Sequence, residues 1–205
     1  QGAGVTPTSA TRFYLSTNAA LDAGDTLIAS RSVPALAAAA SSAVSTSVTI
    51  PASTSAGLYY LIAQADGEQV VAETQETNNT AFVLISIGPD LVVLSATVPA
   101  SAAAGSSITV ADTVKNQGGG DAPATTTRFY LSQNSTLDAG DTVLGVRAAA
   151  PLAAAGQDSG TSLFTIPAGT APGIYYLLAK ADADNGVAET AETNNLLWRQ
   201  IQVTP

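Results

Sequence analysis

The sequence predicts an all-β protein made of tandem, seven-stranded sandwiches, the first of which lacks its two N-terminal strands. Three observations point there. The composition carries 46% hydrophobic residues, 17 Gly and 10 Pro, but only 11% charged residues, where an average domain has about a quarter. The chain also repeats itself: "TRFYLSTNAALDAGDTL" from Thr11 returns as "TRFYLSQNSTLDAGDTV" from Thr127, an offset of 116 residues. Finally, the apolar residues fall in short runs between Gly and Pro, the signature of strands separated by turns.

The repeat runs without a gap. It sets Arg31 against Arg147, Ile50-Pro51 against Ile166-Pro167, Gly57 against Gly173 and Asn78-Asn79 against Asn194-Asn195, with about half of the aligned positions identical. Self-similarity on this scale marks a duplicated structural unit. The second copy reads as strands near 90–98, 106–115, 126–132, 142–148, 160–166, 174–181 and 196–203. "SITVADTVKN" alternates, with Ile108, Val110 and Val114 in phase, as a half-buried strand does. "GIYYLLAKA" is the most apolar run and is expected at the centre of its sheet. Seven short strands in about 115 residues fit an immunoglobulin-like Greek-key sandwich. The alanine-rich "VPALAAAASSAV" lies between strand-like runs and reads as a loop or bend.

The domain boundaries follow: a truncated module over 1–88 and a complete one over 89–205. The offset places Gln1 opposite Gln117, so "QGAG" matches "QGGG" and the first copy has no counterpart of residues 90–116. A sandwich without those strands exposes apolar core and an unpaired edge. Three explanations follow: a piece of a longer array, completion by strands from a neighbouring molecule, or a reduced fold. Between the copies, "SIGPDLVV" is a short connection stiffened by Pro89, which leads one to expect a stiff tandem rod.

Composition excludes several chemistries. The chain has no Cys, His or Met, which removes thiol catalysis, histidine bases and Cys/His zinc sites. Net charge is −9, split as two basic and six acidic groups (−4) over 1–88 and five and ten (−5) over 89–205. Without a basic stripe, nucleic acid and anionic membrane surfaces are poor partners. No apolar run reaches the roughly 20 residues of a bilayer span. Gln1-Gly2-Ala3-Gly4 lacks the pattern of a signal peptide, so an export signal is expected upstream or already removed.

The motifs "DLVV", "ITVADTVKNQG", "TRFYLS", "LDAGD", "IPAGTAPGIYYLLAKADADNGVAETAETNN" and the final "IQV" together resemble CARDB, the cell-adhesion-related domain found in bacteria and archaea. The resemblance covers 90–203 and, without the first two strands, 8–88. It implies extracellular immunoglobulin-like modules used in tandem on surface or secreted proteins, and no enzyme.

The acidic, amide-rich loops raise calcium as the one candidate cofactor, because that ion takes six to eight oxygen ligands and needs no nitrogen or sulfur. In the second copy the donors are Asp182, Asp184, Asn185, Glu189, Glu192 and Asn194, joined by Asn134, Asp138 and Asp141. In the first they are Asp66, Glu68, Glu73, Glu76 and Asn78, with Asn18, Asp22 and Asp25. The competing reading is turn chemistry, since Asp and Asn bond to nearby backbone. Arg12 and Arg128 are expected to pair with a loop carboxylate such as Glu73 or Glu189. The doublets Tyr59-Tyr60 and Tyr175-Tyr176 put one ring on each sheet face. Trp198, matched by Phe82, reads as a core aromatic. Asn134-Ser135-Thr136 and Asn78-Asn79-Thr80 fit the N-glycosylation pattern. Paired carboxylates resemble those of a glycosidase, but their duplication in both copies argues against one.

These readings converge on a non-enzymatic, extracellular structural or adhesive protein. Its expected partners are other copies of itself, further modules of the same array, or a carbohydrate or protein of a cell surface, with no nucleic acid and no membrane insertion. The alternatives are a pilus-like filament subunit completed by a neighbour's strands and a carbohydrate-binding module of a secreted enzyme.

Overall fold

The computed structural model describes residues 4–205; Gln1 to Ala3, part of the "QGAG" match, lie outside them. The chain divides into two compact units, one over residues 1–54 and 58–86 and the other over 55–57 and 87–205.

The first unit is built on four strands: β1 (Ser9–Ser16), β2 (Thr26–Val33), β3 (Gly57–Gln64) and β4 (Thr80–Ile87), in the order β2-β1-β3-β4. A single 3₁₀ turn at Glu76–Asn78 precedes β4. Residues 33–44, the alanine-rich run, contain no helix or strand beyond the last residue of β2. Alanine favours helix, but this run has no apolar stripe to bury and stays irregular.

The second unit is a two-sheet sandwich. Its strands are β5 (Leu91–Thr97), β6 (Ser101–Ala103), β7 (Ser107–Asn116), β8 (Thr125–Ser132), β9 (Thr142–Ala149), β10 (Gln157–Thr165), β11 (Gly173–Lys180) and β12 (Leu196–Thr204). One sheet runs β10-β7-β5 and the other β6-β12-β11-β8-β9. All seven predicted strands are present, with β11 at the middle of the larger sheet. The eighth, β6, is three residues of Ser and Ala and pairs in parallel with β12. It lets the chain cross from the β5 sheet to the β12 sheet after Pro99, and it is too short to show a period. The core between the sheets takes alternate residues from both: Leu91, Val110, Val114, Phe129, Leu177 and Ile201 are buried, and the rings of Phe129 and Phe164 lie 4.9 Å apart.

The two units differ by more than the two missing strands. The counterpart of β10 is residues 41–49, and these form no strand. The reason lies in the pairing: β10 bonds only to β7, and the first unit has no β7. A strand without a partner leaves its amides and carbonyls unpaired, so the segment stays irregular. Among the described residues, the first unit therefore has one sheet where the second has two.

Candidate functional site

The acidic slots repeat because the backbone repeats. Asp66 and Asp182 both adopt left-handed conformations, with φ of 45° and 39°, which Asp tolerates better than most residues. From there each carboxylate reaches two amides ahead. Asp66 accepts from Val70 N at 3.1 Å and Val71 N at 2.9 Å; Asp182 accepts from Gly186 N at 3.2 Å and Val187 N at 2.9 Å. Further along, Glu76 Oε1 accepts from Glu73 N and Glu192 Oε1 from Glu189 N, both at 2.9 Å. Asn79 and Asn195 each donate to Glu73 and Glu189 at 2.7 Å.

The arginines take partners other than those expected. Arg12 binds Glu68 at 3.3 Å and Arg128 binds Asp184 at 2.6 Å, rather than Glu73 and Glu189. Both pairs join a strand to the loop beside it, so the acidic slot shared by Glu68 and Asp184 serves the scaffold. The guanidinium of Arg128 holds the Asp184 carboxyl below its ordinary range, helped by the Thr126 hydroxyl.

In the "LDAGD" turns, Asp22 accepts from Gly24 N at 2.7 Å and Asp138 from Gly140 N at 2.8 Å. Asp25 and Asp141 accept from Asp22 N and Asp138 N at 2.9 Å. Asn18 and Asn134 accept from the amides of Ala20 and Thr136 at 2.7 Å and donate to Asp22 and Asp138. These are closed turn networks. They also stand apart from the other acidic loop. Ser132 pairs with Tyr176 near the start of β11, whereas Arg128 pairs with Lys180 at its end, so the two clusters lie beyond opposite ends of a strand stretch about 14 Å long. The structure thus does not bring Asp138 and Asp141 to Asp182, Asp184, Glu189 and Glu192. Among the described residues, no group of three or more such side chains is placed to hold a metal ion.

Glu189 is the one acid whose environment differs sharply between the copies. It is buried, and its second oxygen accepts the amide of Leu91, the first residue of β5. Burial pushes the carboxyl up from 4.5 to about 7, with Glu192 and Asp182 adding to the rise and the bonds from Leu91 and Asn195 opposing it. A folded value above the unfolded one favours the protonated form. Stability from this group is therefore full below pH 4.5 and lost as pH rises through about 7. Thermal melts at pH 5 and pH 8 are expected to show a lower melting temperature at the higher pH, with a smaller drop in E189Q.

Sequence reasoning missed the most buried ionic cluster. Arg147 of β9 reaches across the sandwich to Asp112 of β7 with two bonds, Nε to Oδ1 at 2.8 Å and Nη2 to Oδ2 at 2.7 Å, and also binds Asp158 of β10. Asp112 is 3% exposed. The signal was legible: Asp112 lies in phase with Ile108, Val110 and Val114, which all point inward.

The outer face of the larger sheet carries aromatics. Trp198 is half exposed and meets Tyr176 edge-on, with centroids 5.5 Å apart and planes at 78°. It is not the core residue the sequence suggested. Tyr60 and Phe82 repeat the arrangement at 5.4 Å and 73°. Tyr175 packs on the core, so the doublet splits between faces as expected. An open cleft of about 600 Å³ beside the β8–β9 turn is lined by Asn134, Asp138, Asp141, Thr170 and Tyr175, but its carboxylates are those already engaged in the turn.

A family model for CARDB matches residues 1–82 and 88–199. Among solved structures, the chain is similar to a CARDB domain from Pyrococcus furiosus, crystallised in complex with di-metal ions, at 26% identity over 57% of this chain and 94% of that one, with a TM-score of 0.45. It is also similar to a domain of a putative cell surface protein from Methanosarcina acetivorans, at 22% identity over 58% of this chain and 94% of that one, with a TM-score of 0.42. No curated protein matches the chain.

Proposed function

The chain belongs to the CARDB family, and on that premise we propose that it is a secreted or surface-displayed scaffold of tandem β modules with a structural or adhesive role. The observation that carries this reading is the duplicated use of the polar motif. In both copies the Asp66/Asp182, Glu68/Asp184 and Asp22/Asp138 slots bind the same backbone amides or the same arginine. Groups held this way build loops; they do not form a nucleophile–base pair.

A carbohydrate-binding role has one feature in its favour, the half-exposed Trp198. Its edge-on contact with Tyr176 makes an angled pair rather than the flat platform on which a sugar ring stacks. No helix among the described residues is long and apolar enough to cross a membrane, so attachment of the described part to a membrane by a helical span is not part of the proposal.

The test is protease treatment of intact source cells, combined with an adhesion assay of a deletion strain. Under this reading the protein is cleaved on intact cells or recovered from the medium, and the deletion strain attaches less well to surfaces or to other cells. Recovery only from the cell interior, protected until lysis, overturns it.

A further inference from the structure

The acidic loop that follows β11 carries residues that its fold does not require. Residues 180–187 correspond to 64–71 of the first copy, and both loops turn on the same pair of bonds to an aspartate, Asp182 or Asp66. Within that shared frame Lys180, Asn185 and Gly186 stand where the first copy has Gln64, Gln69 and Val70. Gly186 is no steric necessity: a Cβ there would meet only Asp182 Oδ1, at an ordinary 3.8 Å. Asn185, at a φ of 49°, and Gln69, at 55°, hold the same left-handed turn. Lys180 is not needed for strand pairing, since Gln64 ends β3 in the same place. The three residues do form one small arrangement. Asn185 and Gly186 are exposed to water. Lys180 Nζ donates to Asn185 Oδ1 at 2.8 Å, and the amide of Gly186 donates to Oδ1 of the buried Asp182 at 3.2 Å.

We propose that Asn185-Gly186 is a self-modification site, at which the chain converts Asn185 through a succinimide to aspartate or isoaspartate, with Asp182 and Lys180 assisting. Gly186 N attacks Asn185 Cγ and closes the ring, and its proton passes to Asp182 Oδ1, the acceptor it already faces. The negative charge that develops on Asn185 Oδ1 lies against the Lys180 amino group, a donor held in place before the reaction begins. The bond from Cγ to the side-chain nitrogen then breaks, and that nitrogen leaves as ammonia with the proton that Asp182 held. Solvent water opens the ring. Addition at Cγ restores the ordinary main chain with an aspartate, and addition at the main-chain carbonyl routes the chain through the side chain as isoaspartate. One amide nitrogen is thus exchanged for a water oxygen, with no oxidant or reductant. The first copy lacks each part: Gln69 has a longer side chain and would close a larger ring, the branched side chain of Val70 crowds the attacking nitrogen, and Gln64 brings no cation. Loss of ammonia makes the step one-way, so the modified fraction rises with the age of the folded chain.

The experiment incubates the full chain at neutral pH and follows residue 185 by peptide mapping, reading the mass change and isoaspartate formation. A synthetic peptide of residues 178–190 gives the rate of the same dipeptide without the fold. The expected result is modification of Asn185 in the folded chain about tenfold faster than in the peptide. Gly186→Val, which copies the first unit's residue into a space that accepts it, is expected to stop the reaction. Lys180→Met is expected to slow the folded chain by roughly fivefold or more while leaving the peptide's rate unchanged. Hydrogen exchange over 181–190 that matches the parent shows that the loop of each variant is intact. A folded chain that reacts no faster than the peptide overturns the proposal. An unchanged rate in K180M with an intact loop overturns the role of the lysine.

Discussion

Phe129→Ala is expected to destabilise the second unit by about 3–5 kcal/mol, the cost of an emptied aromatic site in a closed core. Phe13→Ala, the same substitution at the equivalent position of the repeat, should cost no more than about 1–2 kcal/mol, because a half-buried side chain has less transfer energy to lose. Phe129 has no exposed surface and its ring touches Phe164. Phe13 sits in the same "TRFYLS" context, on a strand paired on both sides, but no second sheet closes over it. Sequence, local conformation and strand neighbours are thus held nearly constant while burial changes. The chain has one tryptophan, Trp198 in β12, so fluorescence in a denaturant series reports the second unit, and hydrogen exchange at β1 reports the first. Equal losses at the two sites would mean that the face of the first unit is closed in solution.

This contrast shows what the residues disclose and what they do not. Seven of the eight strands of the second unit are legible because each apolar run is short, alternates or fills a central position, and ends at Gly or Pro. The offset of the repeat then revealed that two strands were missing from the first copy. The loss of a third was less visible. Residues 41–49, "SSAVSTSVT", have reasonable β propensity, yet propensity describes fit to a pleated surface, and here the surface is absent. Trp198 departs from expectation for a related reason. Parity along β12 places it on the face opposite Ile201 and Val203, and residue type alone does not carry that phase. In the acidic loops the spacing of the carboxylates follows the backbone, since each slot repeats with its turn. Their exact partners depended on which strand lies beside each loop, and no local pattern contains that information. Asp112 is visible by phase, since a charged residue among inward apolar positions calls for a buried counter-ion.

That counter-ion sets the second large effect. Arg147→Met is expected to cost about 3–5 kcal/mol, because it leaves the Asp112 carboxylate buried without its bidentate partner. The side chain of Asp112 has no exposed surface and that of Arg147 is 11% exposed, so water cannot replace the lost bonds. Asp158 does not substitute for the arginine, since a second carboxylate adds repulsion. Removing both members, as R147M with D112L, should recover most of the loss, because apolar residues of similar volume tolerate the site. The cycle of single and double variants, followed by urea unfolding, isolates the coupling. Arg31→Met supplies the control within the same chain. Its Nε has no bond to lose, so the substitution should be close to neutral. A full-size loss at Arg31 would mean that this cation already has a partner, and that the two units are more alike than their strands.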